Sequence, residues 1–238
     1  RTGSTRLPDK VFLPLAGKPM LLRVIDRVRQ SKRVDEVVVA TTVEPADQRI
    51  VDLATGYAKN VFVTRGSEED VLDRYYQAAK SRGADVVVRI TSDNPMIDPD
   101  VIDDAVTLFL SDPAMEYVSN NIGAHTYPRG LDTEVISFKT LEHLARTTTE
   151  PIDREHVTIH IKRFPDQFTW KTLTNNIDLS GYRLTVDEQA DYELVCAIYD
   201  QLYAAMPQFR LPDVIAFLND HPDLRAINAH IEQRNATY

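Results

Sequence analysis

The chain has one cysteine, Cys196, among its 238 residues. An internal disulfide is therefore excluded. With no CxxC pair and no Cys/His zinc spacing, a reducing, cytoplasmic setting is the expectation. There is no run of about 18 apolar residues, so no hydrophobic membrane-spanning helix is expected. The opening Arg1-Thr2-Gly3-Ser4 has no apolar signal-peptide core. Positive charge is also short: 27 Lys and Arg stand against 36 Asp and Glu, a net charge of −9. That balance argues against a broadly basic surface for duplex nucleic acid.

What remains is ordinary for a globular protein, 43% hydrophobic and 26% charged. Low-complexity stretches, internal repeats and Gly/Ser linkers are missing, and the length fits one large α/β domain covering 1–238. The few cations are unevenly placed. Arg1, Arg6, Lys10, Lys18 and Arg23 face only Asp9 in the first 23 positions. An acidic protein that gathers cations in one segment can hold a small polyanion there. The plain alternative is a solvated basic face.

Apolar β-branched runs alternate with helical patterns. Val37–Thr41, Val61–Thr64 and Val86–Thr91 read as buried strands. Helices are expected over 19–28, 45–54 and 68–82, the last closed by Gly83. This alternation predicts right-handed crossovers, a mostly parallel central sheet and helices on both faces. It also calls for a strand ahead of Arg1, feeding the loop 1–18, so residue 1 reads as a truncation point. Over 115–175 the pattern changes to strands near 116–119, 132–137 and 168–173 with helices at 138–148 and 151–163, an α+β insertion on the core sheet. A strand at 182–186, a helix at 188–204 and C-terminal helices near 211–219 and 222–234 complete the expectation.

Candidate chemistry lies in loops that follow strands. Within 1–10, Gly3 permits close backbone approach to a ligand, Ser4 and Thr5 offer hydroxyls, and Arg1, Arg6 and Lys10 offer cationic donors suited to phosphate. The loop is neither a P-loop nor a GxGxxG turn. Asp93, in Thr91-Ser92-Asp93-Asn94-Pro95, and Asp187, in Thr185-Val186-Asp187, both sit where a buried strand ends beside the crevice in which α/β sheets bind ligands. Two such carboxylates suit a Mg²⁺ that also takes substrate phosphates. Each could instead cap the helix that follows it. Tyr127–Asp132 and Asp153–His156 are polar clusters able to meet a polar acceptor. His156 and His160, four apart, have zinc-like spacing but lack a third ligand.

The segments Arg1–Lys10 and Pro14–Met20 resemble the nucleotide-binding opening of the sugar-acid cytidylyltransferases, which activate acylneuraminate and 3-deoxy-manno-octulosonate with CMP. Gly66–Arg74, Tyr127–Asp132 and Asp153–Thr158 resemble the spore coat polysaccharide biosynthesis protein F branch. The resemblance implies a GT-A-like sandwich in which the opening loop wraps the triphosphate of CTP. Arg6 and Lys10 would bind phosphates, with help from Arg1, Gly3 and Ser4. Asp93 and Asp187 would hold Mg²⁺, and Arg65, Asp73 and Arg74 would lie near the base and ribose. Arg129, Asp132 and His156 would face the acceptor sugar. Asp9 stands where many relatives have Gly. Arg6, Lys10 and Asp93 are thus the expected catalytic set of a Mg²⁺-dependent transfer of CMP from CTP to a sugar in polysaccharide biosynthesis. A GT-A glycosyltransferase and a non-catalytic nucleotide-binding subunit are the alternatives. A homodimer is expected through 115–175, where Tyr117, Phe164 and Trp170 are candidate exposed aromatics; no membrane or nucleic-acid partner is expected.

Overall fold

A computed structural model of the chain describes residues 2–3 and 6–232. The expected strands other than that at 182–186 form, in two sheet segments. β3 (Val37–Thr42) pairs in parallel with β4 (Val61–Gly66). β5 (Val86–Arg89), β6 (Tyr117–Ser119), β7 (Glu134–Ser137) and β8 (Trp170–Thr172) make a four-stranded sheet in the order β5-β7-β6-β8. A short hairpin, β1 (Pro14–Leu15) with β2 (Lys18–Pro19), precedes the first helix. The sheet is mixed rather than mostly parallel, because β7 runs antiparallel to both neighbours.

Helices cover both faces. On one side α1 (Met20–Val28) and α4 (Pro99–Leu110) lay Val24, Val28, Ile102 and Val106 against Val118 and Val135. On the other, α3 (Val71–Arg82) and α5 (Phe138–Thr147) pack Leu72, Tyr76 and Leu141 against Tyr117 and Ile136. Each fully buried aliphatic here contributes roughly 1.5–3 kcal/mol of transfer free energy. Local signals set the ends: Asp70 caps α3 through the Asp73 amide, and Gly83 closes it in the left-handed conformation. α2 (Gln48–Ala54) follows a 3₁₀ turn at Pro45–Asp47.

Several expectations need correction. The region 115–175 supplies β6, β7 and β8 directly to the sheet, so it is not merely carried on it. Tyr117 is fully buried rather than exposed, and Trp170 packs partly buried beside it; Phe164 stays exposed. Residues 182–186 form no strand, only an isolated bridge between Arg129 and Arg183, because Gly130 and its neighbours already lie against that segment. The helix expected over 151–163 is two, α6 (Pro151–His156) and α7 (Ile159–Arg163). Val157, at φ 59°, breaks it in a tight turn closed by the Thr158 amide on the His156 carbonyl. His156 and His160 therefore do not share a helix face, and His160 binds Asp153 instead. α8 (Gln189–Leu202), α9 (Leu211–Asp220) and a short α10 (Pro222–Ala226) follow; α10 ends well before the expected 234.

Between β3 and β5 the two segments are not hydrogen-bonded to each other, and a cavity of about 750 Å³ separates them. The valines of both strands, read as fully buried, are only half-buried because they line this space.

Candidate active site

Lys10 lies in a 3₁₀ turn, Lys10–Phe12, placed by the left-handed backbone of Asp9 at φ 56°. Its side chain crosses to two acids from distant parts of the chain. Lys10 Nζ donates to Asp93 Oδ2 at 3.2 Å, to Asp187 Oδ1 at 3.1 Å and to the Val186 carbonyl at 2.8 Å. Arg6 adds a second cation, 3.2 Å from Asp187 Oδ1 and 3.6 Å from Glu188 Oε1.

The two acidic loops are tied together by backbone. The Val186 amide donates to the Asp93 carbonyl at 2.8 Å, and Thr185 Oγ1 reaches the same oxygen at 3.2 Å. Neither Asp93 nor Asp187 is a helix cap: Asp98 caps α4, and Glu188 with Asp191 forms the capping box of α8. The two carboxylates are thus left for each other's cations. Burial alone would raise the Asp187 carboxyl, but Lys10, Arg6 and Arg183 outweigh it and hold it below its ordinary value.

Sequence reasoning missed the support beneath Asp187. Arg183 grips Asp191 through Nε at 2.8 Å and reaches Asp187 Oδ2 at 3.2 Å. Asp191, fully buried, also accepts from the amides of Asp187 and Glu188 and from Asn228 Nδ2. No local pattern announced this support, because 182–186 is neither helix nor strand and α8 begins only at Gln189.

The other expected residues divide. Arg1 and Ser4 lie outside the described residues. Gly3 sits beside Glu68, whose Oε1 a β-carbon would meet at 3.6 Å. Of the remaining early cations, Lys18 is paired with Asp26 and Tyr57, and Arg23 is buried on the carbonyls of Leu15 and Ala16. Arg65 bonds the carbonyls of Thr42 and Glu44 and the Gln48 side chain. Arg74 is buried with its guanidinium on the Ser67 carbonyl, and Asp73 accepts from Gln77. All three are thus engaged with their own neighbours.

Tyr127–Asp132 is brought to the site by close approach. Gly130, at φ 100°, lies so near the Leu184–Thr185 peptide that a β-carbon would stand 2.3 Å from the Thr185 amide nitrogen. Arg129 exchanges backbone hydrogen bonds with Tyr182 and Leu184, and Asp132 accepts from Asn121 and the Gly130 amide. His156 is half-buried at the end of α6, on a different element from this loop.

Comparison with known proteins decides the family. The family described as cytidylyltransferase matches residues 1–220 of this chain. The chain belongs to the cytidylyltransferase family. This cytidylyltransferase is 33% identical to a solved cytidylyltransferase from Leptospira borgpetersenii, covering 99% of this chain and 96% of that one with a TM-score of 0.89. It is 33% identical over 231 residues to the spore coat polysaccharide biosynthesis protein SpsF of Bacillus subtilis, covering 94% of this chain and 92% of that protein. A 3-deoxy-manno-octulosonate cytidylyltransferase of Desulfosudis oleivorans is 40% identical over 116 residues, 48% of this chain and 45% of that protein. The solved CMP:2-keto-3-deoxy-manno-octonic acid synthetase shares the fold, with a TM-score of 0.65 at 22% identity over 84% of this chain and 95% of that one. The α/β nucleotidyltransferase architecture and the enzyme class are therefore those implied by the resemblance.

Proposed function

We propose that the enzyme transfers the cytidylyl group of CTP to a hydroxyl of a sugar, a keto-sugar acid being the favoured acceptor, and releases pyrophosphate. The observation that carries this reading is the convergence of Lys10 on Asp93 and Asp187, from 83 and 177 positions away in the chain. A cationic loop and two acids meeting at one point suit a triphosphate and a divalent ion.

The donor set fits magnesium. Two carboxylates present hard oxygens to one cation, the Lys10 ammonium, which stands between them. Among the described residues no group of three or more His, Cys, Asp or Glu side chains is placed to cage a metal, and Mg²⁺ commonly takes one or two carboxylates plus phosphate oxygens. Asp93 and Asp187 would hold the ion, which would neutralise charge on the phosphates.

The chain's own groups supply positioning and charge. Arg6 and Lys10 bind triphosphate oxygens, and Gly3 lets the backbone approach them. The acceptor oxygen attacks the α-phosphorus, forming a P–O bond as the bond to the pyrophosphate oxygen breaks; the hydroxyl proton passes to solvent. Arg183 and Asp191 hold Asp187 in place. Arg129, whose backbone pairs with Tyr182 and Leu184, and Asp132 would face the acceptor, with His156 a further candidate. The names of SpsF and of the octulosonate enzymes support a sugar destined for a polysaccharide.

The test incubates the protein with CTP, Mg²⁺ and a panel of keto-sugar acids and follows pyrophosphate. Release with at least one acceptor is expected. No release with any acceptor, combined with no thermal shift on CTP, would end this reading; a shift with nucleotide sugars alone would replace it with a glycosyltransferase.

A further inference from the structure

Three oxygens converge on the Lys10 ammonium: Asp93 Oδ2, Asp187 Oδ1 and the Val186 carbonyl, at 3.2, 3.1 and 2.8 Å. A lysine ammonium carries three donors, so all of them are engaged here. The side chain is only 11% exposed in this position. All three acceptors are hard oxygens and two are charged, the donor chemistry that suits a small divalent cation. The Val186 carbonyl is the oxygen that a count of side-chain ligands passes over. The ammonium thus stands in the seat that the ion of the proposed reaction would take.

Two cations cannot share that seat. An ammonium and a divalent ion on the same three oxygens are like charges in near contact, and each disfavours the other. A free metal ion must therefore displace a paired and largely buried lysine. The lysine gains a new partner only when another anion arrives. Its turn is fixed: Val11 is fully buried, the Phe12 amide donates to the Asp9 carbonyl, and the Leu13 amide donates to the Lys10 carbonyl. The flexible four-carbon stem can re-aim the ammonium without moving this backbone. Arg6 reaches the same Asp187 oxygen, at 3.2 Å, with a third of its side chain in solvent. A polyanion caught by Arg6 is therefore presented to Lys10. Arg183, on the other oxygen of Asp187, stays behind with Asp191 and keeps that carboxylate aimed when the lysine leaves.

Building on the cytidylyl-transfer reading, we propose that Lys10 is a resident counter-ion that keeps the cation seat closed until a triphosphate draws its ammonium away. Asp93, Asp187 and the Val186 carbonyl then take a divalent ion only together with the nucleotide. Metal and triphosphate bind with positive coupling, and by linkage each raises the affinity of the other by the same factor. The exchange is a side-chain movement on a rigid turn, and it keeps free metal off the two acids.

The test measures binding of Mn²⁺ alone, by electron paramagnetic resonance and calorimetry, to the wild type, Lys10→Met and Lys10→Gln. The glutamine keeps an amide donor between the acids and decides the question should the methionine variant not fold. Inorganic tripolyphosphate and CTP are titrated separately into the same chains in EDTA. Both variants are expected to bind Mn²⁺ about 10-fold tighter or more, and to bind both polyanions about 5-fold weaker or more. Adding Asp93→Asn should abolish the gain in Mn²⁺ affinity. Arg6→Gln removes the same charge from Asp187 without opening the seat, and should tighten Mn²⁺ by less than about 3-fold. Unchanged or weaker Mn²⁺ binding in the Lys10 variants, a gain that survives Asp93→Asn, an equal gain from Arg6→Gln, or polyanion affinity indifferent to Lys10 would overturn the proposal. Lys10-dependent binding of tripolyphosphate without binding of CTP would uphold the seat and remove the cytidylyl reading, so the two fail separately.

Discussion

Two ion clusters, one on the sheet and one on loops beyond it, differ in what surrounds them. At β7, Glu134 is 2% exposed and is held by Arg89 at 2.7 Å, Lys162 at 3.1 Å and Thr158 at 3.0 Å. At the loop ends, Asp93 is 29% and Asp187 14% exposed, and both meet Lys10. Glu134 takes its cations from β5, its immediate neighbour, and from α7, which packs on that face. Asp93 and Asp187 take theirs from a loop outside the sheet, and Arg6 is left with a third of its side chain in solvent. A buried acid with matched local partners is part of the frame. Half-open acids that draw cations from afar form a place for exchangeable charge.

The sharpest way to break this contrast is to remove one acid from each. Glu134→Ala leaves Arg89 and Lys162 buried without their counterion and is expected to cost about 3–5 kcal/mol of stability by urea unfolding. Asp93→Asn is expected to lower kcat about 10²–10³-fold while stability changes by under about 1 kcal/mol, because the acid is partly solvated. Equal destabilisation by both variants would erase the distinction.

Acid titration sharpens it next. Burial would raise the Glu134 carboxyl, but Arg89 and Lys162 hold it well below its ordinary value of 4.5. The charged and titratable groups around it are Arg89 on β5, Lys162 on α7 and Tyr117 on β6, with Tyr75 of α3 facing Arg89. The folded state therefore binds fewer protons than the unfolded chain just below pH 4.5. The stability from this acid is full above that pH and is lost as pH falls toward the folded value. Urea midpoints between pH 6 and 3 should fall in the wild type and fall less steeply in Glu134→Gln. The same slope in both would show that other carboxylates carry the acid loss.

The smallest effect concerns the loop itself. Asp9 occupies a left-handed position, and among the described residues its carboxylate pairs with exposed Arg49 rather than with Arg6 or Lys10. Asp9→Gly is expected to relieve up to about 1 kcal/mol of backbone cost and to tighten CTP binding two- to five-fold by removing a negative charge. Unchanged CTP affinity by calorimetry would place Asp9 outside the field of the phosphates.

Much of this was legible in the sequence, and what was not has physical reasons. The β-branched runs at 37–42 and 86–89 announced strands because nothing else suits such residues between helices. Asp93 was found by placing a loop at the end of β5, whereas Asp187 was reached through a strand at 182–186 that does not form. Arg23 was read with the basic loop because charge carries no mark of burial; it lies within α1, over the Tyr203 ring, spent on carbonyls. Arg183 and Asp191 were hidden by reading 182–186 as a strand, a run whose apolar residues face the core without pairing. The break at Val157 had no local signal, since β-branched residues disfavour positive φ; tertiary packing imposes it.

Asn228 gives one last lesson. Its amide bonds both the Arg183 carbonyl and Asp191, the prop of Asp187. The acid that Lys10 grips is thus steadied, through Asp191, by a residue from a different element of the chain. Losing Asn228 would therefore be felt at Asp187, two hydrogen bonds away.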